Sequence, residues 1–394
     1  MEYQQTISSQ GLIRIPYALK VPGITLFLLL FLLLPLQNSK LAAKEQHTTA
    51  KYQKESAQAE EPNTRKRSLY VNNGKELVIL WWNVENLFDT VDDPGVDDRE
   101  FTPGGRKGWT EKKLELKLLR LGHVVRLARE EVGDYPALLA FAEVENEGVF
   151  GRLLSGLPEA NYEAAYHESP DGRGIDIAVA YDRSRLTLVG DVHRGVLFEG
   201  RPTRDVSAYG FEVQGTEETL WLVVNHWPSR SMGRKWSEPK RIAAAKVTRE
   251  LVDHLRGVEW SRGRRANIVV AGDFNDEPDD RSVKKVLGAD GSRKKVVRSC
   301  GKRLYNCWRD LEKDEDELGS YNYRGKWNRL DQVLVSCGLL DGVGLEVPED
   351  GFRCFQPGVM RKGRQGVPWA TYERGKFRGG YSDHFPLLLS VDML

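Results

Sequence analysis

Six apolar, strand-like runs in this chain end on, or are broken by, acids, amides or imidazoles. WWNVEN carries Asn83 and Glu85, AFAEVEN carries Glu143 and Glu145, and VVNHWPSR carries Asn225 and His226. AGDFN carries Asp273 and Asn275, RLDQVLVS carries Asp331, and GGYSDHFPL carries Asp383 beside His384. Strand ends gather along the rim of a sheet, so a chain written this way focuses its polar groups on one place if the strands share that rim.

Each run also has a plainer reading. In an extended segment the side chains at i and i+2 share a face, so Asp273 and Asn275 are expected to aim at one spot beyond the sheet. Equally, Gly272 and Asp273 could open a turn, with Asn275 or Asp276 capping a helix over EPDDRSVKKVL. Asn83 and Glu85 could line an edge strand, Glu143 and Glu145 a solvated turn, and Asp383 with His384 a capped loop. His226 could be a core residue beside Trp227, and Asp331 could pair with Arg324 or Arg329. What favours a site is repetition at five or six independent strand ends. The set is rich in oxygen and free of cysteine, which fits a hard divalent cation, Mg²⁺ or Mn²⁺, and its two histidines can donate to an oxyanion.

A chain of 394 residues, 40% hydrophobic and 9% aromatic, can bury a sizeable core. The formal charge of +1 provides no global field for a polyanion, so any nucleic-acid contact rests on local basic patches. The run ITLFLLLFLLL at 24–34 falls short of the roughly 18 to 20 apolar residues of a bilayer span and fits the core of an export signal within 1–43. Ala42 and Ala43 offer a cleavage point, and an uncleaved membrane anchor is the alternative. The polar stretch 44–74 reads as a flexible tether, and 75–394 as one catalytic domain.

Within that domain, helical spacing predicts helices over 110–131, with Thr110 as N-cap, and over 238–256. Strand-like runs outnumber them, which predicts an α+β protein whose two sheets pack together under outer helices. Cys300, Cys307, Cys337 and Cys354 permit two disulfides in an exported protein, with three pairings open. Basic and aromatic residues interleave at 229–241 and 361–378, in loops able to follow a nucleic-acid backbone, and Arg230 and Trp227 are the expected substrate contacts.

The succession WNVEN, AEVE, NHWPS, GDFND, RLDQVLVS and SDHFPL resembles the endonuclease/exonuclease/phosphatase superfamily, the fold of pancreatic deoxyribonuclease and the apurinic endonucleases, across residues 77–391. The resemblance implies a four-layer α/β/β/α sandwich of two packed, mainly antiparallel sheets. It implies that Glu143 is the principal metal ligand, with Glu85 and Asp383 close by, and that Asn83 shares the opening motif. It further implies that Asp273 and Asn275 handle the attacking water and the phosphate, that Asp331 supports His384, and that His226 is catalytic. The expected activity is exported, Mg²⁺- or Mn²⁺-dependent phosphodiester hydrolysis acting on DNA or RNA. A phospholipid or inositol-phosphate phosphoesterase is the enzymatic alternative, and a non-catalytic binding module on the same fold is the third reading; the sequence leaves the oligomeric state open.

Overall fold

Alternation along ELVILWWNVENL, strand β1 (Glu76–Leu87), divides its side chains between two cores. Leu77, Ile79 and Trp81 enter the core between the sheets, whereas Val78, Leu80 and Trp82 enter a second core roofed by helices. The computed structural model describes residues 75–231, 233–311 and 319–394. The apolar run at 24–34 and the tether at 44–74 lie outside the described residues, and no described helix is long and apolar enough to cross a membrane.

The first sheet joins β1 to β2 (Leu138–Val144), β3 (Tyr162–Tyr166) and β4 (Asp176–Asp182). The second contains β5 (Leu186–Phe198), β6 (Arg201–Val213), β7 (Thr219–His226), β8 (Asn267–Asp273) and β9 (Asp331–Val335), while the final strand β10 (Leu387–Met393) returns to the first sheet beside β1. Helices α1 (Glu111–Val132) and α2 (Glu147–Ser155) cover the outer face of the first sheet, packing Leu114, Leu121 and Phe150 against Trp82 and Phe141. Helix α3 (Arg234–Ser261) covers the outer face of the second with Ala244, Leu251 and Leu255 against Trp221 and Val223. This is the four-layer sandwich expected from the sequence.

Strand direction decides where the polar ends fall. β1 and β2 are parallel, as are β7 and β8, so in each sheet two adjacent strands finish on the same rim. β9 runs antiparallel to β8 with Asp331 opposite Asp273, and β10 runs antiparallel to β1, so these two strands begin where their neighbours end. Parallel strands thus deliver their last residues and antiparallel strands their first residues to a common edge.

Several elements differ from expectation. β6 went unpredicted because RPTRDVSAYGFEV mixes charges and glycine into its alternation, and β3 and α2 were too short to register. α3 begins at Arg234, with Pro239 inside it. The stretch EPDDRSVKKVL yields only a short π-helix at Ser282–Leu287. One disulfide, Cys300–Cys337, forms among the described residues, and Cys307 is a buried thiol.

Candidate active site

Each strand end turns sharply on its own polar side chain. Asn83 Oδ1 accepts the Glu85 N–H (3.0 Å), Asp273 Oδ1 accepts the Asn275 N–H (2.9 Å), and Ser382 Oγ accepts the His384 N–H (3.0 Å). Glu85, Glu143 and Asn275 sit at φ values of 55°, 66° and 49°, a left-handed conformation that non-glycine residues adopt at a cost of about 1–3 kcal/mol each. The i and i+2 argument for Asp273 and Asn275 is therefore corrected: the strand stops at Asp273, and the following turn, not strand alternation, orients Asn275. The turn opened at Asp273 is present, whereas no helix starts at Asn275 or Asp276.

The turns bring a chain of contacts together. Asn83 Nδ2 donates to Asp273 Oδ2 (3.1 Å) and to Glu143 Oε1 (3.3 Å), linking the two sheets. Glu143 Oε2 accepts the Asn86 N–H at 2.9 Å. His226 Nε2 lies 3.9 Å from Glu143 Oε1 and 3.8 Å from Asp273 Oδ2. Asp331, with no exposed surface, accepts from Trp81 Nε1 (3.0 Å), Ser320 Oγ (2.6 Å) and His384 Nδ1 (2.6 Å). Trp82 Nε1 donates to the His384 carbonyl at 2.9 Å, so the two tryptophans that alternate along β1 fix both members of the Asp331–His384 pair.

Electrostatics separate the two histidines. Burial alone would strip the His384 imidazole of its proton, but Asp331 and Asp383 hold its pKa well above the ordinary value. His226 goes the other way: burial, with Arg204, Arg173 and His384 adding repulsion, pushes it well below. The two carboxylates beside it stand beyond hydrogen-bond reach and do not offset this. Burial thus favours the neutral His226 ring, which can donate one hydrogen bond.

Carboxylates repel one another in pairs along the rim, Glu85 with Asp383, Asp383 with Glu143, and Asp273 with Asp331. Burial, reinforced by the Asp383 charge, pushes Glu85 up to about 7 against Lys117 and two backbone N–H donors, those of Thr371 (2.6 Å) and Tyr372 (3.0 Å). Asp383, its side chain 39% exposed so that solvent tempers the effect, is raised by burial and by Glu143. Burial and Asp331 push Asp273 up to about 6, with His384 opposing. Such repulsion is what a divalent cation relieves, and the oxygen donors of Glu85, Glu143 and Asp383 are of the type that holds a hard one. Asp273, Asp331 and His384 also bring one ligand atom each within 4.8 Å of one another. Because Asp331 Oδ2 and His384 Nδ1 are joined by the 2.6 Å hydrogen bond, we read this trio as an acid–imidazole pair facing Asp273.

Two expected substrate contacts are redirected. The Arg230 guanidinium binds the Asn275 carbonyl, Asp276 and Asp280 (3.0 Å), so it pins the loop that carries Asn275. Trp227 is 1% exposed and packs on Phe274 with ring centroids 4.4 Å apart, so its ring has no open face.

Lys117 went unnoticed in the sequence. It lies on the apolar stripe of α1 with Leu114 and Leu121, and that misplaced charge was the available signal. Its Nζ donates to Thr371 Oγ1 (2.6 Å) and the Tyr381 carbonyl (2.7 Å), and burial lowers its pKa to about 8 against the pull of Glu85, Asp383 and Glu143. Tyr321, whose ring packs 4.7 Å from that of His384, was also missed.

The two-sheet sandwich gathers carboxylates and imidazoles from distant strand ends along one rim. The chain belongs to the Endonuclease/Exonuclease/phosphatase family, whose model matches residues 78–393. Among solved structures it is similar to an endonuclease/exonuclease/phosphatase family protein from Bacteroides thetaiotaomicron, at 16% identity and a TM-score of 0.50, covering 80% of this chain and 97% of that one. It is also similar to the human Nocturnin catalytic domain (17% identity, TM-score 0.49, 81% and 95% covered). A third likeness is to a mannosyl-6-phosphatase from Bacteroides thetaiotaomicron (16% identity, TM-score 0.47, 81% and 99% covered). No curated protein sequence matches this chain.

Proposed function

We propose that this chain hydrolyses phosphodiesters with Mg²⁺ or Mn²⁺ and that its substrate is DNA or RNA. The observation that carries the reading is the buried Asp331–His384 pair, 2.6 Å apart and turned toward Asp273. A cation held by Glu143 with Glu85 and Asp383 would neutralise phosphate charge and stabilise the leaving oxygen. Asp273, ionised at neutral pH, accepts a proton from the attacking water and aligns it. His384, held protonated by Asp331, donates through Nε2 to a non-bridging oxygen. Asn275 keeps one amide proton for the phosphate, the other being given to the Trp227 carbonyl (3.0 Å), and neutral His226 donates its N–H.

Nucleic acid is favoured over lipid by the hairpin beside His384, formed by Tyr321–Tyr323 and Lys326–Asn328. Tyr323 is 54% exposed with the Arg324 guanidinium 5.1 Å from its ring, a pairing suited to a base and its phosphate. The apolar run at 24–34 supports export or an N-terminal membrane anchor. The test is incubation of the purified protein with plasmid DNA, RNA, sphingomyelin and a phosphoinositide, with and without Mg²⁺. Metal-dependent nucleic-acid cleavage is expected; cleavage of lipid alone transfers the activity to the lipid reading, and no cleavage at all leaves a binding module.

A further inference from the structure

Glu143 and Glu145 do not share a face. The left-handed turn at Glu143 sends Glu145 away from the catalytic rim toward the loop VDDPGVDDRE at 91–100. There Glu145 Oε2 accepts from the Asp89 N–H (2.6 Å) and from Asn146 Nδ2 (3.2 Å), while its buried Oε1 has no hydrogen-bond partner. Fully buried Asp98 accepts the Asp93 N–H through Oδ2 at 2.9 Å, and its Oδ1 is likewise without a partner. Asp93, Asp98 and Glu145 each offer a carboxylate oxygen, all within 4.8 Å of one another, and among the described residues none of the three pairs with a lysine or arginine. Leaving two such oxygens buried and unpaired is costly, and a cation is the group that would satisfy both at once.

We propose that Asp93, Asp98 and Glu145 hold a second hard divalent cation, Ca²⁺ in the first place, separate from the catalytic one. The donors are all carboxylate oxygens, which disfavours zinc, and they come from irregular backbone, which suits the loose oxygen shell of Ca²⁺ better than the strict octahedron of Mg²⁺. The role is to fasten a loop. The Asp97 N–H donates to the Gly172 carbonyl (2.9 Å), Phe101 stacks on Phe88 with centroids 4.1 Å apart, and Phe101 meets the edge of Tyr372 at 6.4 Å. Tyr372 is the residue whose N–H holds Glu85, so this cation would brace the backing of the catalytic carboxylates from outside.

The test is thermal unfolding of the full chain, stripped with chelator and then titrated with CaCl₂. Wild type and Glu143→Gln are expected to gain about 5 °C at Ca²⁺ about 100-fold above Kd, with Mg²⁺ giving less than half that. Asp93→Asn, a change at a half-buried position that spares the fold, is expected to lose the gain, and Glu145→Gln serves as a second variant. No Ca²⁺ response in wild type, the full response in Asp93→Asn, or loss of the response in Glu143→Gln alone would overturn the site; an equal response to Mg²⁺ would overturn the preference for Ca²⁺. The readout is stability, so it stands apart from the substrate assays above.

Discussion

Replacing Asp331 by asparagine keeps the volume and removes the charge at a residue with no exposed surface. If the remaining carbonyl keeps the Trp81 Nε1 donor, the new amide N–H faces Ser320 Oγ and His384 Nδ1. His384 Nδ1 must then accept, which selects the neutral tautomer protonated at Nε2 and withdraws the imidazolium from the phosphate. Loss of one charged, pre-oriented donor of this kind lowers kcat by about 10²- to 10³-fold. Removing one partner of a buried ion pair should also lower stability by about 3 kcal/mol. The sign with pH follows from the raised His384 pKa: in wild type its contribution is fully present below the unfolded value of 6.5 and fades as pH rises through the higher folded value. Asp331→Asn should therefore lose stability most below pH 6.5, and the difference should shrink in alkali. The assay is a pH–rate profile on a chromogenic phosphodiester with Mg²⁺, beside urea unfolding at each pH. Turnover within a few-fold of wild type in a folded variant would refute the dyad.

Lys117→Gln should destabilise the chelated protein by about 3 kcal/mol, because three facing carboxylates lose their buried counter-charge, and added Mg²⁺ should restore part of the loss in the urea midpoint. In chelator, wild-type stability should fall as pH rises from about 4 to 7. Asp273 and Glu85 carry raised folded pKa values of about 6 and about 7, so the unfolded chain releases their protons first; each group accounts for at most about 3 kcal/mol, and a flat profile would contradict the carboxylate packing. Arg230→Ala should lower kcat more than it raises KM, since Arg230 positions Asn275 and is not free to grip substrate; a pure KM effect in steady-state kinetics would reverse that assignment. Reducing Cys300–Cys337, which closes a loop 37 residues long, should cost about 3–4 kcal/mol in urea unfolding without abolishing activity.

The polar strand ends were legible in the sequence because they interrupt apolar alternation, and the fold gathers them through strand direction. What alternation could not convey was the geometry of each turn. Asp273 and Asn275 were read as neighbours on one face, yet the second is aimed by a left-handed turn that the first closes. The same device separates Glu143 from Glu145, two glutamates with identical local spacing and opposite destinations. Basic composition misled at Arg230, Arg234 and Arg241, whose charges are taken by Asp276 and Asp280 inside the protein. Trp227 misled because a sequence does not reveal which side of a strand end is roofed by α3. Lys117 was visible as a charge on an apolar stripe, but its partners lie more than two hundred residues away in the chain.

The central claim is that distant carboxylates and imidazoles act together on one phosphate beside a cation. Steady-state cleavage of plasmid DNA by purified wild type and His384→Ala, across a Mg²⁺ titration, tests it most directly. Wild type should be silent in chelator and saturate with Mg²⁺, and the variant should stay at least ~10²-fold slower at every concentration. Equal cleavage by the two proteins, or cleavage that persists undiminished in chelator, would contradict the account.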